Sequence, residues 1–245
     1  MKNKKEFESI LKNEMGVMGI KKDQVIDSIE NNLTPYILEE RKLQVTQMDV
    51  FSRLMKDRII WLAGEVNDRM STTVQAQLIF LSNHDPEADI TMHLDTPGGS
   101  VKSGLSIIDT MNCIPCDIQT INTGMCASMG SVLLSSGTKG KRSSLKYSDV
   151  MCHQASYGAR GHVEDVRITV MEAEKKNYIL SKLLAKNIGI TFEEYMDAVV
   201  RDKWYNSEEA LEFGIIDNIL DSKGPNVSEL LDGFDEYYMK KVTGK

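Results

Sequence analysis

The stretch Thr123–Gly130, TGMCASMG, decides the fold, because it marks a turn between a strand and a helix. Before it, residues 117–123 alternate polar and apolar side chains over the length of a strand. After it, an apolar run through Leu134 ends at Gly137, as expected for a short helix closed by a glycine. Ser128 therefore lies on a strand-to-helix elbow, where a serine is either a nucleophile or the cap of the helix.

The neighbours of Ser128 are suited to binding an extended chain. Gly124, Ala127 and Gly130 are small, so the backbone can approach a bound molecule closely. The helix that begins here presents unpaired N–H groups. The turn DTPGGS, residues 95–100, also ends a strand and opens a helix. Two such turns side by side would form an oxyanion hole.

The pattern of strand, turn and helix recurs about every 30 residues, which predicts an α/β fold of layered helices and sheets. Strands are predicted at 58–64 and 89–94, each followed by an amphipathic helix, and a long helix at 163–189. Its broad apolar stripe suits packing on its own domain or against a second subunit. We expect an N-terminal extension or propeptide at 1–33, one domain at 34–220 and a polar tail at 221–245.

Composition excludes several functions. The net charge is −7 and no basic cluster is longer than Lys139–Arg142, which argues against nucleic acid as the main partner. No stretch approaches the roughly 18 apolar residues of a membrane span, so we expect a cytoplasmic protein without a membrane partner. Cys113 and Cys116 form C-x-x-C without a second pair, so neither a metal site nor a cofactor is predicted.

A nucleophilic serine needs a base, and the chain has four histidines. His84 and His162 lie in turn-like sequence, and His93 alternates within a strand. His153 ends a strand that runs into a loop, a position from which an imidazole can reach a neighbouring elbow. His153 is therefore the candidate base.

Five segments, in this order and at these separations, resemble the ClpP family, the proteolytic subunits of the Clp protease. They are FSRLMKDRII (51–60), DTPGGSVKSG (95–104), TGMCASMGSVLLSSGTKGKR (123–142), SDVMCHQ (148–154) and RDKWYNSEEALEFGIID (201–217). The resemblance runs from Pro35 to Asp217 without a gap. It implies a ClpP/crotonase-like fold of repeated strand-strand-helix units, with a protruding handle of helix and strand.

The resemblance also implies a role for single residues. Ser128 matches the nucleophile, His153 the general base and Asp202 the acid that orients it. The backbone N–H groups of Gly99 and Met129 match the oxyanion hole. The implied protein is a serine endopeptidase that hydrolyses unfolded proteins inside two stacked heptameric rings, a homo-oligomeric tetradecamer, with an AAA+ unfoldase of the ClpX, ClpA or ClpC type as partner.

The chain departs from the family pattern at three places. Ala155 stands where the family has a proline at the start of the handle. Val200 replaces an aspartate, so Arg201, a possible inter-ring contact, lacks its usual partner. In the pocket that docks the unfoldase, three aromatic positions carry other residues: His93, Cys113 and Ser143. The docking pocket is therefore predicted to be altered.

Other functions remain open at this stage. A stand-alone or phage-type ClpP-like processing protease would have the same catalytic chemistry. A ring subunit that partners a second ClpP paralogue would explain the altered pocket. A crotonase-type acyl-CoA enzyme would share the layered fold and the oxyanion hole without needing a serine, a histidine and an aspartate. A non-catalytic ring subunit would need no intact triad.

Overall fold

The computed structural model describes residues 36–41 and 44–243, and the chain divides into two compact units between Leu54 and Met55. The first unit contains an antiparallel hairpin of β1 (Tyr36–Arg41) and β2 (Gln44–Asp49). Helix α1 (Val50–Lys56) follows directly, and the carboxylate of Asp49 accepts a hydrogen bond from the N–H of Ser52 at 3.0 Å. The predicted extension or propeptide at 1–33 lies outside the described residues.

The second unit is built on a sheet of parallel strands. Its main path runs in the order β3 (Ile59–Ala63), β4 (Ile90–Thr96), β5 (Ile118–Ala127), β6 (Arg142–Ser144) and β9 (Asn218–Ile219). Off this path, β7 (Asp149–Cys152) pairs parallel with the end of β5 and antiparallel with β8 (Lys203–Tyr205). The carboxyl end of β5 therefore carries two neighbours in succession, β6 and then β7.

Helices connect these strands. They are α2 (Asp68–His84), α3 (Val101–Cys113), α4 (Met129–Ser135), α5 (Val163–Ile188), α6 (Phe192–Ala198), α7 (Ser207–Phe213), α8 (Val227–Leu230) and α9 (Phe234–Thr243). Side-chain caps start several of them: Asn67 accepts from the N–H of Met70, and Ser100 from that of Ser103. The core forms where alternate strand residues such as Ile90, Met92 and Leu94 point at these helices and are fully buried.

The predicted α/β class is confirmed, and the strands predicted at 58–64 and 89–94 and the helix at 163–189 match β3, β4 and α5 closely. One strand is longer than predicted: β5 continues to Ala127 because Met125–Ala127 pair with β7. Residues 153–162, which lead into α5, contain no strand, so the handle has its helix but no strand there. The tail at 221–245 contains α8 and α9, which bury no residue in the part described. The predicted domain boundaries stay predictions.

Helix α5 packs on its own domain only over its last turns. Leu180, Leu184 and Ile188 are buried, whereas Val163 and Ile168 in its first half are more than half exposed. In the single chain, the apolar side chains in the first half of α5 are therefore exposed and available for contact with a partner. Among the described residues, no helix has both the length and the hydrophobicity to cross a membrane.

Candidate active site

Ser128 occupies a strained elbow between β5 and α4. Its φ of 54° and ψ of −119° lie in a region that residues with a Cβ rarely adopt. The N–H of Ser128 donates to the carbonyl of Met151 in β7 at 2.9 Å, which holds the elbow in place. Its hydroxyl makes no capping bond to α4. Of the two roles that the sequence left open, the side chain is therefore not used as a cap.

Glycines bring the turn DTPGGS into contact with this elbow. Gly98 has a φ of 91°, and a Cβ there would lie 2.7 Å from the Cβ of Ser128 and 2.9 Å from the nitrogen of Met129. A Cβ on Gly130 would lie 2.7 Å from the side chain of Thr96. Larger residues at either position would push the two turns apart. The two N–H-rich turns therefore lie side by side, as predicted.

The two predicted oxyanion donors border one cavity with Ser128. Met129 is the first residue of α4, where N–H groups have no partner within the helix. Gly99 lies opposite Val66, but the bonds of that bridge run from Val66 N–H to Gly98 and from Ser100 N–H to Val66, both at 2.8 Å. The N–H of Gly99 is therefore not used by the bridge.

His153 and Asp202 meet because of the pairing of two strands. Cys152 lies opposite Lys203 in the antiparallel pair of β7 and β8, so the next residues outward, His153 and Asp202, face each other. The Nε2 of His153 is 2.7 Å from the Oγ of Ser128, a good hydrogen bond. Its Nδ1 is 3.7 Å from the Oδ1 of Asp202, too long for one. The three residues are therefore grouped, but Asp202 makes no hydrogen bond to His153.

The cavity beside Ser128 has a volume of about 90 Å³ and reaches residues that sequence reasoning missed. Asn177, Leu180 and Ser181 contribute to its wall from α5, and Tyr195 from α6. The only sequence signal for these was the apolar stripe of α5, which includes Leu180. The others lie more than 40 positions from Ser128, so no local pattern connects them.

The thiol of Cys152, next to His153, is unreactive. Cys152 immediately precedes His153, yet it is fully buried, and burial raises the pKa of its thiol to about 11. A thiol that stays protonated at neutral pH is a poor nucleophile. Cys152 is therefore not a candidate nucleophile beside His153. In the described part of the chain, no three His, Cys, Asp or Glu residues are grouped to hold a metal.

Arg201, the predicted inter-ring contact, is exposed beside Val200, itself two-thirds exposed. No salt bridge joins Arg201 to a described acidic residue within 4.0 Å. Arg201 is thus accessible to solvent in the single chain.

The three positions at which an altered docking pocket is predicted are only partly together. One row across β3, β4, β5 and β6 contains Trp61, His93, Ile121 and Ser143. The ring of His93 stacks on Trp61, with centroids 4.7 Å apart and planes parallel within 1°, and burial lowers the pKa of His93. Ser143 is buried, and Cys113 is exposed at the end of α3. The remaining histidines, His84 and His162, are exposed at helix ends.

The arrangement of a strained serine, a histidine at hydrogen-bond distance, a carboxylate behind it and two backbone donors is typical of serine hydrolases. The family model described as Clp protease matches residues 41–223. Curated relatives named "ATP-dependent Clp protease proteolytic subunit" include one from Bacteroides fragilis (strain YCH46), 46% identical over 218 residues, which cover 89% of this chain and 99% of the relative. One from Porphyromonas gingivalis is 47% identical over 189 residues, 77% of this chain and 85% of the relative.

The chain belongs to the Clp protease family. Its membership supports a serine peptidase reaction, and the mixed α/β fold with a parallel sheet agrees with the resemblance, apart from the strand expected in the handle.

Proposed function

We propose that this chain is a serine endopeptidase, the proteolytic subunit of an ATP-dependent Clp protease, in which Ser128 is the nucleophile. The observation that carries the proposal is the 2.7 Å contact between the Oγ of Ser128 and the Nε2 of His153 at a strained elbow. A serine hydroxyl becomes a useful nucleophile when a base at this distance accepts its proton.

The geometry supports the following reaction. His153 Nε2 takes the proton of Ser128 Oγ as that oxygen attacks the peptide carbonyl. The N–H groups of Gly99 and Met129 donate to the resulting oxyanion, and loss of one such donor typically costs about 3 kcal/mol. His153 then protonates the leaving amine, and water hydrolyses the acyl-enzyme with His153 again acting as base. The negative charge of Asp202, 3.7 Å from Nδ1, stabilises the imidazolium that forms.

The proposed assembly is a homo-oligomer of two stacked heptameric rings with the active sites inside, in the cytoplasm. The exposed apolar side chains of α5, among them Val163, Ile168 and Met171, support contact with another copy of the chain. Substrates are unfolded proteins or peptides, delivered by an AAA+ unfoldase. The relatives' names include "ATP-dependent", which supports an ATPase partner and does not favour a stand-alone protease.

The test combines covalent labelling with peptide cleavage. Purified full-length protein should react with a fluorophosphonate probe at Ser128 and cleave a fluorogenic peptide. Ser128→Ala should lose labelling and more than about 1,000-fold of the turnover, because the nucleophile is gone. Ser106→Ala, on α3, serves as the matched control and should retain both. Turnover by a folded Ser128→Ala protein of unchanged oligomeric size would contradict the proposal.

A further inference from the structure

The connection between β7 and α5 forms one wall of the active-site cavity without regular structure. His153 begins it, and Ala155 and Ser156 line the cavity. In the described chain, no backbone-to-backbone hydrogen bond holds residues 154–161. The wall therefore depends on side chains for its position.

Two hydrogen bonds, each between a side chain and a backbone group, attach its start to the rest of the chain. The side-chain N–H of Gln154 donates to the carbonyl of Val199 at 3.5 Å, the limit of a hydrogen bond. The N–H of Ala155 donates to the Oδ1 of Asn177 at 2.8 Å, which is a good length. Asn177 is thus the stronger attachment of the wall.

We infer that Asn177 is a positioning residue for peptide cleavage: it holds the cavity wall next to His153 in the geometry that receives substrate. The inference rests on the proposed function. Asn177 lies on α5 one turn before Leu180 and Ser181, which line the same cavity and are buried. The helix is therefore a rigid support, and the Asn177 side chain transfers its position to a segment that has no support of its own.

The bond is possible because residue 155 is not a proline. A proline at this position would restrict φ through its ring but would have no N–H to donate. This chain keeps the donor and supplies an acceptor from α5. Ala155→Pro removes the donor of this hydrogen bond and Asn177→Leu removes its acceptor. Because both substitutions remove the same bond, their effects on KM are expected to be non-additive.

Kinetics on the assembled full-length protein test the role. Asn177→Leu should raise the KM for a fluorogenic peptide about 5-fold, as expected for one hydrogen bond. Fluorophosphonate labelling of Ser128 should stay within about 2-fold, because the small probe does not need the wall. Asn177→Asp keeps an acceptor oxygen and should keep the wild-type KM. In an Ala155→Pro background, Asn177→Leu should change KM by less than about 2-fold.

The matched control is Asn187→Leu, the same substitution on the same helix. Asn187 donates to Ser135 and Ser136 at 3.3 and 3.2 Å, at the far end of α4 from Ser128. It should lower the melting temperature without raising KM. If Asn187→Leu and Asn177→Leu changed KM equally, Asn177 would have only a structural role.

Hydrogen exchange gives a readout that does not need activity. The amide of Ala155 should exchange at least about 5-fold faster in Asn177→Leu than in the wild type or in Asn177→Asp, because the acceptor is lost. An unchanged exchange rate, or an unchanged KM with an active wild type, would overturn the positioning role alone. A wild type that neither labels nor cleaves would overturn the proposed function, and the positioning role with it.

Discussion

Two carboxylates of this chain differ in how closely they contact a nitrogen partner and in how exposed they are. Asp217 accepts from two nitrogens of the Arg142 guanidinium at 2.6 and 2.8 Å, and its side chain is 12% exposed. Asp202 lies 3.7 Å from the imidazole of His153, and its side chain is 68% exposed. The difference indicates that the first carboxylate serves the stability of the fold, whereas the second is free to adjust.

The Asp217 pair connects several elements. Arg142 is fully buried in β6 and also donates to the carbonyls of Asn187 on α5 and Gly214 at the end of α7, at 2.9 and 3.1 Å. Burial alone would raise the pKa of Asp217, but hydrogen bonds from Arg142, its positive charge and the N–H of Gly140 together hold the pKa well below the usual range. The carboxylate is therefore charged whenever the protein is folded near neutral pH.

The largest expected effect in this comparison is on stability. Asp217→Asn should lower the free energy of unfolding by about 3–5 kcal/mol, because it leaves the Arg142 charge buried without its partner. Chemical denaturation monitored by circular dichroism measures this. Lys139→Ala is the control, since Lys139 contacts the same carboxylate at 3.4 Å from an exposed position and should cost at most about 1 kcal/mol.

Acid should also lower the free energy of unfolding of the wild type. Because the pKa of Asp217 is lower in the folded than in the unfolded protein, its contribution is complete above the unfolded pKa of about 4 and is lost as the pH falls towards the folded value. Asp217→Asn should show a correspondingly smaller loss of stability between about pH 5 and 2. Equal acid sensitivity of the two proteins would contradict the structural role of the pair.

The next effect concerns catalysis. Asp202→Asn should lower kcat about 10- to 100-fold and leave the melting temperature within about 2 °C, because an exposed carboxylate without a hydrogen bond contributes little to stability. Steady-state kinetics and a thermal melt separate the two. A large drop in melting temperature would mean that Asp202 resembles Asp217 after all.

The smallest effect is expected at the three positions of the predicted docking pocket. Ser143 is buried, so a large ring there would disturb the sheet, and the useful change is His93→Tyr with Cys113→Phe. Larger aromatic surface should strengthen binding of an AAA+ unfoldase of the ClpX type about 2- to 5-fold. Degradation of a folded, tagged substrate measures this. Efficient degradation by the wild type without a gain in the variant would show that the pocket already fits its partner.

Sequence alone predicted the α/β class, the elbow at Ser128 and His153 as the candidate base, and the resemblance to the ClpP family added the N–H groups of Gly99 and Met129. These depend on local features: the spacing of apolar residues, glycines at close approaches and motifs in a characteristic order. The acid position was also predictable, since Asp202 lies in a matching segment. The length of β5 was not, because its last residues form a strand only through β7.

Tertiary structure alone decided what the other polar residues do. Asn177 and Ala155 are 22 positions apart, and Arg142 and Asp217 are 75 apart, so no local pattern pairs them. The stack of His93 on Trp61 likewise needs the register of β3 with β4. A backbone preference acts over a few neighbouring residues, whereas a hydrogen bond or an ion pair depends on which distant groups share one desolvated site.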